Sequence, residues 1–574
     1  MSEKKFPCVL PLSDDLLRKY NFFELYPLDG GGFFITRELF GTLDDAKIAE
    51  TILNGHIMDE FGSLDNIDFS RYEKWRTIEK SCWINRCYFL VPLAKTAWLN
   101  NDAVSAGRIM RIILNFFRNF PPPEDLQSHW ERVERRMQED YNSKSYEEIC
   151  RDETDVEYIW FDMQVGQRLI CMLYAGYFIY GSPAVSDEQR SELLECLRTH
   201  ALVLARQEMF QQPYLDNHQS LRAIALYMAL PLLQGTAEYD RAAQLAGELC
   251  SYHILNEFLE SGMLFEYSPS YQAFVLWHAR DFRNLARMRN EAVAPEVDER
   301  IQAAIRALCC LTRPDGLSLT INDSYQFKAS ALLASLGKDV ELPQHAVLNP
   351  GGVAVARRGK NFVAVDASGF IGKFSHYHGG KNSPVVFLDN EVFLEESGCP
   401  SYDKEEFLLC KKPLQHSTLL VDGIGDTHQF GLYGFDAWAE LKHDNQWQLA
   451  DDGSCSFSAI ATSNAPEWAH VCWQRICCLS AEQVKFTDRI TAADAHEYTL
   501  LFCLAPGVSV EPCSDGWMLS KNSVQVLLKC SLGNGKVTEI KNCQQHSVRT
   551  ACQLQFSCCG QADTEIITEL IIKK

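Results

Sequence analysis

The stretch GGVAVARRGKNFVAVD, residues 351–366, marks the point where the hydrophobic pattern of this 574-residue chain changes. Two runs rich in Val and Ala are separated by Arg, Gly, Lys and Asn, a pattern that predicts two β-strands joined by a tight turn. Runs of the same kind follow at residues 416–423, 483–490, 496–504 and 523–532. Their spacing predicts an antiparallel β-sandwich over residues 341–574.

Upstream of this change, from about residue 35 to residue 340, hydrophobic residues recur at helical spacing. Ser186 followed by Gln189 is the signature of a capping box at the start of one of these helices. The sequence therefore predicts an all-α domain over residues 1–340, followed by the all-β domain. Successive helical hairpins of this kind are compatible with an α/α toroid.

The composition limits the classes of partner. The chain carries 54 Lys and Arg residues against 76 Asp and Glu residues, a net charge of -22. Such a balance opposes binding to nucleic acid or to an anionic membrane by bulk charge attraction, so neither is expected as a partner. With 46% hydrophobic residues, the composition is typical of a globular protein that folds.

The cysteines and the N-terminus bear on the cellular compartment. The 22 cysteines form no C-x-x-C pair and lie mostly in apolar surroundings, which favours reduced thiols in the core. The N-terminal residues MSEKKFPCVLPLSDD lack the apolar region of a secretory signal, and the longest apolar run, Leu169 to Tyr180, is too short to span a bilayer. We expect a cytoplasmic protein, or a periplasmic or secreted one if the sequence is a mature form.

Nucleotide-binding and serine-hydrolase motifs are absent, and polar clusters remain as the candidates for chemistry. His376 and His378 would share one face of a strand, roughly 6 to 7 Å apart. With a carboxylate from a downstream segment, two histidines make a three-ligand site for zinc or a similar divalent ion. Hydrogen-bonded core histidines are the alternative.

Two further clusters lie in the helical half. Residues 214–218, Tyr-Leu-Asp-Asn-His, fall at a predicted helix start, where Asp and Asn ordinarily act as N-caps. Residues 265–271, Phe-Glu-Tyr-Ser-Pro-Ser-Tyr, contain Pro269, which favours extended backbone before it. Tyr271 is therefore predicted at a turn or at the entrance of a helix.

Taken in order, these motifs resemble those of the heparinase II/III-like polysaccharide lyases, over most of the chain up to about residue 505. The matching motifs are Asn-His at 217–218, Ser-Pro-Ser-Tyr at 268–271, Gly-Gly-x-Ala-x-x-Arg at 351–357, His-x-His at 376–378, carboxylate-x-Gly at 396–398 and His-x-Thr-x-x-Val-Asp-Gly at 416–423. The resemblance implies an incomplete (α/α) toroid followed by an antiparallel β-sandwich, with the substrate cleft between them.

The resemblance also implies roles for individual residues. Asn217 matches the asparagine that contacts the uronate carboxylate, and His218 belongs to the same motif. Tyr271 matches the catalytic tyrosine, and His376 matches the histidine that faces the substrate. One divalent metal ion is implied, zinc in the first place with manganese or calcium as alternatives, and its ligands match His378, Glu396 and His416.

Two positions depart from the pattern of that family. Glu396 stands where the family commonly has Asp, which keeps the charge but lengthens the side chain, and so leaves the identity of the metal open. Gly380 stands where an Asp would complete a His-x-His-x-Asp pattern. This second departure weakens the transfer of a particular substrate from the family to this chain.

The activity implied is that of a carbon-oxygen lyase, which breaks the bond at C4 of a uronic acid by β-elimination. Tyr271 is hypothesised to be the general acid and, for one C5 configuration, also the base, because a nearby cation lowers the pKa of tyrosine from its ordinary value of about 10. His376 would be the base for the opposite configuration. Asn217 and His218 would stabilise the developing enolate.

The partner implied is an acidic polysaccharide or oligosaccharide: heparan sulfate, chondroitin sulfate, hyaluronan or alginate. Gln164 and Arg168, at positions i and i+4 of a predicted helix, are further candidates for substrate binding. Two stretches rich in Arg and Lys, residues 280–290 and 351–383, predict a locally basic cleft. Whether the chain forms a homo-oligomer stays open.

Two other classes of function compete with this interpretation. An α/α-toroid glycoside hydrolase would need two carboxylates flanking the scissile bond, and Glu266 and Asp323 are candidates for them. A non-catalytic polysaccharide-binding scaffold would have no need to retain Asn217, Tyr271 and His376 together.

Overall fold

The computed structural model describes residues 6–7, 45–55, 63–69, 84–143, 159–207, 212–336, 341–372, 376–399, 408–430, 434–533, 535–544, 547–560 and 563–573. These residues divide into two compact units. The helical unit falls within Met1–Glu257 and Phe274–Ile301, and the sheet unit within Phe258–Ala273 and Gln302–Lys574. The expectation about a secretory signal rests on residues 1–15, of which the structure describes only residues 6 and 7.

The helices follow the predicted order along the chain. They are α1 (Asp45–Leu53), α2 (Leu90–Leu99), α3 (Ala103–Asn119), α4 (Leu126–Ser143), α5 (Met163–Ile179), α6 (Asp187–Arg206), α7 (Asn217–Ala229), α8 (Tyr239–Glu257), α9 (Pro269–Arg289), α10 (Pro295–Cys310) and α11 (Ala329–Leu336). The predicted capping box is present at the start of α6: Ser186 accepts from the amide of Gln189, and the side chain of Gln189 accepts from the amide of Ser186. None of the described helices is both long enough and apolar enough to cross a membrane.

Helix α5 lies at the centre of the helical unit. All of its residues except Tyr177 are buried, as expected for a mostly apolar helix that its neighbours enclose. It packs against α2, α6 and α7. The start of α5 and the start of α7 therefore belong to one packed group of helices, and both ends carry polar residues.

The strands follow α11 along the chain and belong to the sheet unit. Its first sheet has the order β1-β2-β3-β4-β5, formed by β1 (His345–Leu348), β2 (Val353–Arg358), β3 (Asn361–Asp366), β4 (Ser383–Leu388) and β5 (Glu391–Leu394). Strands β2 and β3 come from the stretch that marks the change of pattern. Gly352 requires glycine, because its φ is +73° and a Cβ atom would lie 2.1 Å from the carbonyl oxygen of Ala367.

The remaining strands form three sheets. The largest sheet in the described part of the chain has nine strands in the order β10-β11-β12-β13-β20-β17-β16-β15, with β9 also paired to β11. Its strands are β9 (Ala439–His443), β10 (Gln448–Leu449), β11 (Cys455–Ser463), β12 (Cys472–Leu479), β13 (Gln483–Thr491), β15 (Ser509–Cys513), β16 (Gly516–Lys521), β17 (Val524–Cys530) and β20 (Asp563–Lys573). The other two are β18-β19-β14-β6, from β6 (Leu419–Val421), β14 (His496–Cys503), β18 (Lys536–Gln544) and β19 (Ser547–Gly560), and β7-β8, from β7 (His428–Phe430) and β8 (Gly434–Ala437).

The described strand pairs are antiparallel, and strands form within each of the predicted runs. Side chains of β12 alternate between buried and half-buried, the period-two pattern of a strand with one face in the core. The predicted domain boundary after residue 340 stays a prediction. The change from helix to strand falls there, between Leu336 and His345, while the compact units divide the chain differently.

Candidate active site

A tyrosine and a histidine, distant in sequence, stack in the sheet unit. Tyr271 lies in the first turn of α9, as predicted for a helix entrance, and its amide donates to Ser268 Oγ at 3.4 Å. Its ring stacks on that of His376, with ring centroids 4.1 Å apart and an interplanar angle of 25°. The side chain of His376 is 18% exposed, so solvent reaches this pair. Two groups able to transfer protons therefore lie side by side.

Asp323 holds His376 from the interior. His376 Nδ1 donates to Asp323 Oδ2 at 2.7 Å, and the amide of Asp323 donates to the carbonyl oxygen of His376 at 3.2 Å. Because Nδ1 carries the proton, the lone pair of the neutral ring is on Nε2. This arrangement prepares His376 to accept a proton at Nε2 and stabilises the imidazolium that would form, as a buried carboxylate does beside a catalytic histidine.

Asp323 is completely buried and has two further partners. His378 Nε2 donates to Asp323 Oδ1 at 2.7 Å, and Lys411 Nζ lies 3.1 Å from Oδ2. Burial raises the pKa of the Asp323 carboxyl, but the charge of Lys411 and the hydrogen bonds from His376 and His378 outweigh burial and hold the pKa well below its usual range. Asp323 is therefore an anion at neutral pH.

The prediction that His376 and His378 lie on a strand is wrong. Both lie in the loop between β3 and β4, and they meet because their rings bind opposite oxygens of one carboxylate. Asn322 holds this loop: its Oδ1 accepts from the amide of His378 at 3.1 Å and from Lys381 Nζ at 2.9 Å. Tertiary hydrogen bonds replace the period of a strand as the reason that these histidines share a site.

Asn322 also connects this loop to the segment that carries the tyrosine. Its Nδ2 donates to the carbonyl oxygen of Tyr267 at 2.9 Å. Asn322 and Tyr267 each have a φ of +53°, in the left-handed region that residues other than glycine seldom adopt. Strained backbone of this kind persists only where the surroundings impose it, and it clusters at functional sites.

His378, Glu396 and His416 lie next to one another beneath this loop. His378 and His416 have ring centroids 5.5 Å apart, and His416 Nδ1 lies 2.5 Å from Glu396 Oε2. Ser383 Oγ donates to the other oxygen of Glu396. All of these side chains are buried.

The donor atoms of this cluster are of the types that zinc prefers. His378 and His416 both direct Nε2 to an acceptor, the carboxylate of Asp323 and, at 2.9 Å, the carbonyl of Cys410. That is the usual outer partner of a metal-binding histidine. His378 Nδ1 is buried without a hydrogen-bond partner among the described atoms. The donors that suit a metal are thus Nδ1 of His378, Nδ1 of His416 and the carboxylate of Glu396.

Two further observations describe this cluster. Burial lowers the pKa of His416, but Glu396 outweighs burial and raises that pKa above its ordinary value, so the two side chains form a buried ion pair. In the described residues, no three side chains of His, Cys, Asp or Glu converge closely enough to hold a metal ion. The residues fit a metal by donor type and outer partners, and Glu396 and His416 pair with each other.

The departure at Gly380 has a structural cause. Gly380 has a φ of +77°, and a Cβ atom there would lie 2.6 Å from Cβ of His416. An aspartate at this position would therefore displace His416.

We expect Gly380→Ala to destabilise the fold by about 1–3 kcal/mol more than Gly423→Ala. Gly423 is the matched control, because its φ is +79° and nothing lies within 4 Å of the added Cβ atom. Both variants bear the cost of left-handed backbone, about 1–2 kcal/mol. Urea unfolding of the two variants measures the difference, and equal losses would contradict the crowding of His416.

Asn217 and His218 lie in the helical unit, at the start of α7, as predicted. Asp216 is the N-cap, and its side chain accepts from the amide of His218 at 2.8 Å. The ring of His218 contacts the carboxylate of Asp162, which also accepts from Arg222. Asp162 precedes α5, so the contact between α5 and α7 builds this cluster.

Gln164 and Arg168 have different surroundings. Gln164 is buried near this cluster, where its Oε1 accepts from Arg86 Nε at 3.1 Å. Arg168 is 0% exposed. Its guanidinium donates to His200 Nε2 at 2.9 Å, to the carbonyl of Asn85 at 2.9 Å and to that of Ile159 at 2.8 Å. The prediction that Arg168 lines a substrate cleft is wrong, because its donors are used inside the helical unit.

The prediction of a basic cleft is not supported either. In residues 280–290, Arg280 is buried against Asp281, Arg283 pairs with Asp298, and Arg289 pairs with Glu291. In residues 351–383, the described cations also have partners: Arg357 and Arg358 donate to backbone carbonyls, Lys360 pairs with Asp389, and Lys381 pairs with Asp366. Lys373 lies outside the described residues. Runs of basic residues were a poor guide because carboxylates close in sequence, such as Asp281 and Glu291, and more distant ones, such as Asp298, pair with their members.

Sequence reasoning missed the residues that hold the candidate histidines. The sequence pattern indicates Asp323 only as a hydrolytic carboxylate, and it does not single out Asp162, Asn322, Arg222 or Lys411. One signal was present: Asn322 and Asp323 follow directly after the stretch LSLTI at residues 317–321. A polar pair after a buried run is a reason to look for partners.

Comparison with known sequences and structures relates the chain to others. A family profile described as heparinase II/III N-terminus matches residues 43–346, and one described as heparinase II/III-like, C-terminal, matches residues 341–565. No curated protein matches the chain in sequence.

Solved structures share the fold at low identity. A crystal structure of heparinase III has 12% identity and a TM-score of 0.69, covering 96% of this chain and 86% of that one. A heparinase III described as the BT4657 gene product has 15% identity and a TM-score of 0.63, covering 94% and 85%. A heparan sulfate lyase mutant from Pedobacter heparinus has 12% identity and a TM-score of 0.60, covering 92% and 83%. The predicted fold class, an incomplete (α/α) toroid followed by an antiparallel β-sandwich, is confirmed.

Proposed function

Because the chain belongs to the heparinase II/III-like family, we propose that it is a polysaccharide lyase that cleaves uronic-acid-containing glycosaminoglycans by β-elimination. The observation that carries the proposal is the stacked pair of Tyr271 and His376, with His376 held by the anionic Asp323. A family name gives the class of reaction, whereas this pair supplies groups suited to its proton transfers.

β-Elimination at a uronic acid needs two proton transfers. A base removes the weakly acidic proton at C5, and an acid protonates O4 of the leaving sugar. Tyr271 is the acid in this mechanism and, for one C5 configuration, also the base. His376 accepts the C5 proton at Nε2 for the opposite configuration, and Asp323 stabilises the imidazolium. The electron pair of the C5–H bond forms the C4=C5 double bond as the C4–O4 bond breaks.

The third requirement is to stabilise the negative charge that builds on the uronate carboxylate. Donors that are already oriented stabilise developing charge without reorganising. The amide of Asn217 and the ring of His218 are assigned this role on the resemblance to the family. Gln164 lies buried in the same unit and is kept as a contributor to that site.

The decisive assay follows the ultraviolet absorbance of the conjugated product. Heparan sulfate, chondroitin sulfate, hyaluronan and alginate are incubated separately with the protein, and products are sized. The proposal expects absorbance to rise with at least one glycosaminoglycan. New reducing ends without that absorbance would indicate a hydrolase, and binding with neither signal would indicate a scaffold.

A glycoside hydrolase is the weaker candidate because of the state of Asp323. A hydrolase needs one carboxyl group with a raised pKa to act as the acid. The pKa of Asp323 is held well below its usual range, and the side chain is 0% exposed and bonded to two histidines. Asp323 therefore cannot protonate a leaving group, and with both oxygens buried and bonded it cannot serve as the second carboxylate beside Glu266 either.

We also propose that one divalent ion, zinc in the first place, is held by His378, Glu396 and His416. When bound, the ion would supply a fixed positive charge that orders the loop between β3 and β4. The residues of the chain do the rest: Asp323 and Cys410 orient the two rings, and His378 carries the loop that positions His376.

We expect His416→Ala to lower the metal content from about one ion per chain toward none. Because the change also breaks the buried pair with Glu396, it should cost about 3–5 kcal/mol of stability whether or not metal is bound. The measured metal content therefore decides whether His416 is a ligand. A chelator should also lower the Tm of the wild type but not that of the variant. His345→Ala, at an exposed position of β1, is the control. Full occupancy in His416→Ala would refute the ligand assignment.

A further inference from the structure

Asp162 has an unusual backbone for its position. It is the N-cap of α5, yet its side chain forms no capping hydrogen bond to the helix. Its φ is +53°, in the left-handed region that is unfavourable for a residue with a Cβ atom. An N-cap aspartate ordinarily bonds the first free amides of its helix. Here the strained backbone turns the side chain of Asp162 away from the first amides of α5.

The carboxylate of Asp162 is used by α7 instead. Asp162 Oδ2 contacts His218 Nδ1, and Asp162 Oδ1 accepts from Arg222. The side chain of Asp162 is 13% exposed and that of Arg222 is 5% exposed, whereas that of His218 is 34% exposed. The carboxylate is thus enclosed between a buried cation and a histidine that solvent reaches.

We propose that Asp162 is the positioning residue for His218, holding its Nδ1–H so that the ring stays protonated and turns its Nε2 edge away from the carboxylate. An imidazolium in this orientation suits an acidic group of the substrate better than a neutral hydroxyl. The identification of that group as the uronate carboxylate rests on the proposed function. The pairing of Asp162 with His218 does not.

The charges around this pair favour the same state. Burial raises the pKa of Asp162, but His218, Arg222 and Arg86 outweigh burial and lower it to about 2, so the carboxylate is ionised across the working pH range. Asp216 also contacts His218, since its side chain accepts from the backbone amide of His218 at 2.8 Å. Among the residues that the structure describes, the other titratable groups that adjoin this cluster are Tyr214, whose hydroxyl accepts from Arg222, and His253 and Glu257 of α8, which lie near Asp216.

Removing the charge of Asp162 would reverse this balance. Arg222 and Arg86 would remain as cations near His218 and would oppose its protonation. Asp162→Asn is the sharpest change, because an amide oxygen can still accept from Nδ1 and the shape is nearly unchanged. The change removes the charge that retains the second proton. It also removes one of two acceptor oxygens, because the carboxylate oxygens of Asp162 accept from His218 and from Arg222.

The test measures the protonation of His218 directly. Ring nitrogen and carbon shifts of isotope-labelled histidine are followed against pH, with the His218 signal assigned by its absence in His218→Gln. In the wild type, His218 should be an imidazolium at neutral pH. In Asp162→Asn the proton affinity should fall by about tenfold or more. Asp187 is an exposed aspartate in the first turn of α6, and Asp187→Asn should leave the proton affinity of His218 unchanged.

Kinetics supply the second measurement. The alkaline limb of kcat/KM should move to lower pH in Asp162→Asn, and Asp162→Glu, which restores the charge, should restore part of the shift. An unchanged His218 titration in Asp162→Asn, or a neutral His218 at pH 7 in the wild type, overturns the proposal. Because the wild-type titration needs only His218→Gln for its assignment, poor folding of Asp162→Asn does not remove the test. A shifted titration in a protein without lyase activity would uphold the pairing and count against the proposed function alone.

Discussion

Tyr271→Phe is expected to abolish β-elimination while leaving substrate binding nearly intact. The change removes one oxygen atom, which in the proposed mechanism protonates O4 and, for one C5 configuration, also removes the C5 proton. General acid–base catalysis contributes about 10²–10⁴-fold per group, so a hydroxyl with both roles should account for a loss of about 10⁴-fold or more. The phenyl ring retains its stacking on His376. Product absorbance measures kcat, and calorimetry measures Kd.

Tyr267→Phe is the matched control for this prediction. Tyr267 lies on the same segment, and burial raises the pKa of its hydroxyl, which suits it poorly to proton transfer. Its removal should change kcat by less than a few-fold. Retained turnover in Tyr271→Phe, with both proteins folded, would refute the assignment of the tyrosine.

Asp323→Asn is expected to lower turnover by about 10²–10⁴-fold, because His376 would lose the anion that fixes its tautomer and stabilises its imidazolium. The same change leaves the buried Lys411 without its counter-charge, at a cost of about 3–5 kcal/mol of stability. Unfolding curves and kcat are therefore measured on the same preparations.

Two controls separate catalysis from stability. Asp488→Asn breaks another buried ion pair of the sheet unit, with Arg475, and should lose comparable stability with far less loss of turnover. The double variant Asp323→Asn with Lys411→Met removes both charges and should recover stability without recovering activity. Recovery of activity in the double variant would show that Asp323 matters only for folding.

The pH dependence of stability tests the same carboxylate. The pKa of Asp323 is lowered in the native state, so the unfolded state binds more protons through the range in which a free aspartate titrates, near about 3.9. The contribution of Asp323 is therefore fully present above that range and is lost as the pH falls. Asp323→Asn should show a shallower loss of unfolding free energy on acidification than the wild type.

Local features of the fold were predictable because neighbouring residues decide them. The capping box of Ser186 and Gln189 needs only a hydroxyl and an amide three residues apart on a helix start. The strands of residues 351–366 follow from Val-rich runs separated by turn formers. Tyr271 at the entrance of α9 follows from Pro269. The backbone geometry of a few consecutive residues carries each of these predictions.

Predictions that depended on distant partners were less successful. Arg168 has the spacing of a cleft residue, yet it is enclosed by carbonyl groups and His200 from other segments. Arg283, in the run of arginines at residues 280–290, pairs with Asp298 of α10. Periodicity says which face of an element is apolar, but it does not say which residues meet a polar side chain.

By itself, then, the sequence determined the type and order of the elements and the motif residues that define the family. The tertiary structure decided which carboxylates hold the histidines: Asp323 beside His376, 53 residues away, and Asp162 beside His218, 56 residues away. The physical reason is the separation in sequence over which each kind of interaction acts. Secondary structure arises from hydrogen bonds and sterics within a few residues, whereas the charge state of a histidine is set by groups a few ångströms away in space, wherever they lie in the chain.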